Sequence, residues 1–146
     1  MMAKRFLLID DDADDSEMFL EALSKVDPSS KCNCFPQGRL ALARLTSYEL
    51  EAPDVIFLDI NLPVMSGWDI LTELKRMDTC KDIPVIMYST SSHHRDQELA
   101  KELGALCFFT KPNNYRLLIK MMEIVVENLN NNSISHICPA VRELLH

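Results

Sequence analysis

Residues 55–67 read Val55-Ile56-Phe57-Leu58-Asp59-Ile60-Asn61-Leu62-Pro63-Val64-Met65-Ser66-Gly67. Four consecutive apolar residues, led by two β-branched ones, do not alternate with polar residues as a strand with one wet face does. They fit a strand covered on both sides, which is how strands of a parallel sheet read. The run stops at an acid, and Pro63 and Gly67 shape the loop and helix start beyond it.

Outward from this stretch the same pattern returns. Apolar β-like runs occur at Phe6 to Ile9, weakly at Cys32 to Phe35, at Val85 to Tyr88 and at Leu106 to Phe109. Helical spacing fills the gaps. Phe19, Ala22, Leu23 and Val26 follow Asp14, which with Glu17 predicts a capping box, and Pro28 ends that helix. Leu40 to Leu45 predicts a second helix, and Ile70, Leu71, Leu74 and Met77 a third. Leu99, Ala100 and Leu103 give a fourth, closed by Gly104 at the C′ position, and Leu117 to Leu129 give a long fifth. Five alternating strand–helix units predict an α/β fold: a doubly wound parallel (βα)5 sheet with right-handed crossovers and helices on both faces. With the flavodoxin-like strand order 2-1-3-4-5, a ligand is expected at the carboxyl ends of the strands, in the crevice between strands 1 and 3.

The chain has 146 residues, the size of one domain, and is expected to fold without metal or disulfide. Its expected organisation is one domain over 1–129 and a tail over 130–146. The tail opens on the polar break Asn130 to Ser133, after which Ile134, Ile137, Val141, Leu144 and Leu145 fall near helical spacing around Pro139. It either packs back on its own domain or docks a partner. A net charge of −7 argues against direct binding of nucleic acid or an anionic membrane. No apolar stretch approaches the roughly 20 residues of a membrane span. The five cysteines, Cys32, Cys34, Cys80, Cys107 and Cys138, are odd in number and form no CxxC pair. With no signal peptide at the start, the reducing cytoplasm is the expected compartment.

The residues after the strands carry the chemistry. Asp10, Asp11 and Asp12 follow strand 1, with Asp14 and Asp15 beyond, and Asp59 follows strand 3. Two like charges about 4 Å apart repel by about 4 kcal/mol at an effective dielectric of about 20. A hard divalent cation relieves that repulsion, and carboxylates, a backbone carbonyl and waters are the ligands Mg²⁺ prefers. Asn61 is positioned in the turn to offer its carbonyl. Ser89 and Thr90 after strand 4 and Lys111 after strand 5 add a hydroxyl and a cation. Carboxylate, metal, hydroxyl and Lys around one point suit phosphoryl transfer, with Asp59 as the acceptor that forms an aspartyl-phosphate.

Together these markers resemble the response-regulator receiver domain of two-component signalling, over residues 4 to about 129. The resemblance rests on Asp10-Asp11, on Asp59 within Asp-Ile-Asn-Leu-Pro-Val-Met-Ser-Gly, on Ser89, and on Lys111-Pro112. It implies that Asp59 accepts a phosphoryl group from a histidine kinase or histidine phosphotransfer protein. It implies Mg²⁺ (or Mn²⁺) on Asp11, Asp59 and the Asn61 carbonyl, with Asp10 acting through water. Lys111 and Ser89 would each hold a phosphoryl oxygen, and Phe108 matches the family's aromatic switch position. Pro63, Gly67 and Pro112 are structural supports. Two departures stand out: Phe108 replaces the more usual Tyr, and Leu62 stands where Met often precedes Pro63. No second domain follows, so a stand-alone, CheY-like regulator is expected, acting on an unknown protein target, with a homodimer through helices 4 and 5 as a further option.

Other readings compete. A degenerate receiver serving as a scaffold keeps the fold without the chemistry. A Mg²⁺-dependent phosphatase of the haloacid dehalogenase type needs a second Asp two residues after the nucleophile, where this chain has Asn61. A flavin- or nucleotide-binding domain needs a phosphate-receiving loop after strand 1, where this chain is acidic. Asp12, Asp14 and Asp15 read as a helix cap and solvated face. His93 and His94 read as loop, Cys32 and Cys34 as the buried side of strand 2, and Trp68, Met121 and Met122 as packing.

Overall fold

A computed structural model describes residues 3–145. Its strands are β1 (Arg5–Ile9), β2 (Lys31–Phe35), β3 (Val55–Leu58), β4 (Val85–Ser89) and β5 (Cys107–Thr110). They form one parallel sheet in the order β2-β1-β3-β4-β5, the flavodoxin-like order expected from the sequence. The helices are α1 (Ala13–Val26), α2 (Gly38–Thr46), α3 (Gly67–Arg76), α4 (His94–Glu102) and α5 (Tyr115–Asn130). A 3-10 turn at Ile134–His136 then leads into α6 (Ile137–Leu145). No helix among the described residues is long and apolar enough to cross a membrane.

Successive side chains of a strand point to opposite faces, so the sheet feeds two cores. Leu8, Val55, Phe57 and Tyr88 meet α1, α5 and α6, whereas Leu7, Ile56, Leu58 and Met87 meet α2, α3 and α4. The Phe57 ring stands edge-on to Phe19 at 4.9 Å and to Tyr88 at 5.7 Å. Each such side chain removed from water contributes about 1.5–3 kcal/mol. The weak signal of strand 2 has a simple origin: β2 is a marginal strand whose residues alternate between exposed Lys31 and Asn33 and half-buried Cys32 and Cys34.

Helix α1 begins earlier than the sequence suggests. Asp12, not Asp14, is its N-cap: its backbone is extended and its side chain accepts from the Asp15 N–H at 3.0 Å. The Asp12 N–H in turn donates to Asp10 Oδ1 at 2.9 Å, which turns the chain into the helix directly after the strand. Asp14 therefore lies in the first turn, where a negative charge meets the positive end of the helix dipole. Helix α3 starts on a capping box formed by Ser66 and Asp69. Gly104, at φ +93°, terminates α4 in the left-handed conformation expected of a C′ glycine.

The C-terminal segment packs into the first core, with Ile137 and Val141 fully buried beneath α6. That helix lies against α5 and against β5, the strand at one margin of the sheet. Cysteine usage gave no sign of a bonded pair, yet Cys107 of β5 and Cys138 of α6 are joined as a disulfide with their Cα atoms 5.7 Å apart. Their pairing comes from the packing of α6 on β5, which spacing in sequence does not encode. Cys32, Cys34 and Cys80 are free.

Candidate functional site

Register builds the site. Ile9 of β1 pairs with Leu58 of β3, so the next residues, Asp10 and Asp59, leave the sheet side by side. Their backbones are fixed by the strands: the Asp10 N–H donates to the Phe35 carbonyl at 3.0 Å and that of Asp59 to the Ile9 carbonyl at 2.9 Å. On the other side Ser89 of β4 pairs with Thr110 of β5, and the Lys111 N–H donates to the Ser89 carbonyl at 2.7 Å. Lys111 is thereby aimed back over the same crevice. Its Nζ lies 2.8 Å from Asp10 Oδ2, 2.8 Å from Asp15 Oδ2 and 3.2 Å from Asp59 Oδ2.

Burial gives these charges their character. Asp10 is 2% exposed and Asp59 6%, and Ser89 is fully buried. Removal from water pushes the Asp10 carboxyl up to about 6, and the neighbouring Asp59 charge adds to this, although Lys111 and the Asp12 N–H pull the other way. Burial disfavours the Lys111 ammonium, but Asp10, Asp15 and Asp59 more than offset it and hold its pKa above the ordinary lysine value. Burial likewise raises the pKa of Tyr88, whose ring lies under Lys111 Nζ at 5.6 Å.

One oxygen is left over. Asp10 Oδ2 is buried with the Lys111 ion pair as its polar contact and no further hydrogen-bond donor. Carboxylate oxygens of Asp10, Asp11 and Asp59 come within 4.8 Å of one another. An orphaned anionic oxygen beside two more carboxylates is a donor set suited to a hard divalent cation. Asp11 is exposed at the rim, open to solvent on the side from which an ion would enter.

The remaining predicted residues frame this centre. Asp59 Oδ1 accepts from the Ile60 N–H at 2.7 Å, and the Asn61 N–H points at the same oxygen from 3.5 Å. Asn61 itself is exposed in the loop. Gly67 must be glycine because a β-carbon there would collide with the Asp59 carbonyl oxygen, so the start of α3 is pressed against the end of β3. Pro63 lies in the same loop, its carbonyl accepting from the Met65 N–H at 2.8 Å. Pro112 follows Lys111 and lines a cavity with it. Ser89 Oγ accepts from the Ser91 N–H at 3.4 Å. Phe108 stands apart from the carboxylates, in the second core, where it lines a groove of 430 Å³ between α4 and Arg142 of α6. Sequence reasoning missed Asp15, which shares Lys111 with Asp10 and Asp59. Its signal was hidden by the misplaced helix start: with Asp12 as the cap, Asp15 becomes the third helical residue and faces the crevice.

Comparison with known proteins agrees with this geometry. The profile of the response regulator receiver domain matches residues 6–123. Response regulator Rcp1 of Synechocystis sp. is 33% identical over 124 residues, covering 82% of this chain and 84% of that protein. The crystal structure of its Mn(2+)-bound form superposes with a TM-score of 0.75 at 31% identity, over 86% of this chain and 92% of that one. The phosphorylated cyanobacterial phytochrome response regulator RcpA gives a TM-score of 0.81 at 30% identity, over 89% and 96% of the two chains. Other curated relatives are longer, and the chain spans 28% to 57% of their length. On fold, site and relatedness alike, the chain belongs to the response regulator receiver domain family.

Proposed function

We propose that the chain is a signalling receiver that takes a phosphoryl group onto Asp59 from the phosphohistidine of a histidine kinase or phosphotransfer protein. The observation that carries this reading is Lys111 bridging Asp10 and Asp59 beside the unsatisfied Asp10 Oδ2. Asp59 Oδ1 accepts from the Ile60 N–H and Oδ2 from Lys111 Nζ, so Oδ2 becomes the nucleophilic oxygen as Lys111 turns to the incoming phosphoryl group. As it attacks phosphorus, the bond from phosphorus to the histidine nitrogen breaks, and with the other ring nitrogen protonated the imidazole leaves as a neutral base. Lys111 then exchanges its contact with Asp59 for a phosphoryl oxygen, and the Ser89 hydroxyl donates to another.

Asp10, Asp11, Asp59 and the Asn61 carbonyl would hold Mg²⁺ or Mn²⁺, which neutralises charge on the phosphoryl oxygens. The Mn(2+)-bound Rcp1 and phosphorylated RcpA structures support a divalent ion and phosphorylation by similarity. Phosphorylation would shift a two-state equilibrium in which Ser89 moves toward the phosphoryl group and Phe108 changes its burial beside α4, altering a face for a downstream protein. Residues 1–129 form the receiver unit in this reading, without an enzymatic activity beyond its own phosphorylation and dephosphorylation, and it works in the cytoplasm. The phosphatase alternative lacks its acid, since the second position after Asp59 is Asn61.

Intact-mass measurement after incubation with acetyl phosphate tests the assignment. One added phosphoryl group is expected with Mg²⁺, none without it, and none in Asp59→Asn. Full labelling of that variant would sink the proposal.

A further inference from the structure

The Cys107–Cys138 bond has no part in phosphoryl chemistry. Cys107 begins β5, immediately before Phe108, and Cys138 is the second residue of α6. From this anchor α6 extends toward the acceptor site. Arg142 shares the groove of Phe108 and α4, and Leu145 shares a cavity with Lys111 and Pro112. One nine-residue helix thus lies along the β5 margin from the aromatic residue to the lysine loop, and a covalent bond joins its first turn to β5 beside the buried Ile137.

The two sulfurs suit reversible chemistry. Cys138 is half-buried in the first turn of α6, with no acid in that turn. It opens with Cys107 onto a cavity of 230 Å³, through which a small molecule can reach it. In the thiol form Cys138 also has a partner, because the Leu106 carbonyl oxygen is 3.1 Å from its sulfur. Both states are therefore accommodated by the same backbone. Two of the three free cysteines are poorer nucleophiles: burial pushes the Cys32 thiol up to about 12, and Cys80 is 2% exposed.

We propose that Cys107 and Cys138 form a reversible thiol–disulfide site, closed by a low-molecular-weight disulfide such as oxidised glutathione, and that closure fastens α6 over the α4–β5–α5 face. The Cys138 thiolate attacks the small disulfide, forming a mixed disulfide and releasing one small thiolate. The Cys107 thiolate then attacks the Cys138 sulfur and releases the second. Two protein thiols are oxidised, one small disulfide is reduced to two thiols, and the two protein protons go to the departing thiolates. In a reducing compartment such a pair is open by default and closes under oxidative load. The site goes beyond the phosphoryl reading and is tested without phosphate.

The full chain is reduced, exposed to oxidised glutathione, alkylated and digested with trypsin, and amide exchange is followed in both states. Expected are a link between peptides 102–116 and 121–142, and exchange in α6 slowed by about ten- to a hundredfold on oxidation. Cys138→Ser and Cys138→Ala should exchange like the reduced chain under both conditions, and two variants guard against one that folds poorly. No linked peptide, glutathione retained on Cys138, or equal exchange in the two states would overturn the proposal. Asp59 labelling measured on the same samples separates the two ideas, since its loss in both states counts against the phosphoryl reading alone.

Discussion

At the scale of single residues, Asp10 is held in tension between its burial and its neighbours. Its carboxyl titrates near 6 instead of 3.8, so the folded metal-free chain binds this proton more tightly than the unfolded chain does. The sign follows directly: Asp10 favours folding most below pH 3.8, and that contribution is lost as pH rises through about 6. Asp10→Asn is expected to raise the unfolding free energy at pH 7.5 by about 1–3 kcal/mol in urea titration without metal. Calorimetry should show the opposite for function, with Mg²⁺ bound at least about tenfold more weakly by the variant. In the native chain the ion must displace the proton, so affinity should fall about tenfold per pH unit below 6. Much of this centre was legible in the sequence, because Asp10, Asp11, Asp59 and Lys111 each follow a strand and parallel register gathers strand ends. Asp15 was not, because two residues of error in a helix start rotate a side chain by more than half a turn.

Among the elements, the β3–α3 connection is the most constrained. The Gly67 N–H donates to the Ile60 carbonyl at 2.8 Å while its Cα crowds Asp59, so the helix start is tied directly to Asp59. Gly67→Ala should cost about 2–4 kcal/mol in chemical denaturation and slow Asp59 labelling, whereas a merely flexible loop would absorb the methyl group with neither effect. Strands β3 and β4 were the most legible elements, since burial on both faces leaves an unbroken apolar run. Strand β2 was faint because a marginal strand keeps polar residues on its wet side. The disulfide was invisible for a different reason, as it depends on where α6 comes to rest and no local pattern records that.

Across the whole molecule, two cores share one sheet, and the first is completed by the last helix. Val141→Asp places a charge in that core, and the unfolding free energy should fall by about 2–4 kcal/mol. Released α6 should then be cut by trypsin at Arg142 far faster than in the native chain. The site residues come from ends of the chain that meet late: Lys111 lies 52 positions after Asp59 and 96 after Asp15. During synthesis β1 and β3 therefore bring Asp10 and Asp59 together before the cation that faces them exists. The central strand pair is electrostatically frustrated until the fifth strand arrives, and a divalent ion can stand in for the missing lysine. Refolding monitored by stopped-flow fluorescence should accordingly quicken with added Mg²⁺ and lose that sensitivity in Asp10→Asn, the outcome expected of an ion that would serve assembly of the central strands as well as phosphoryl transfer.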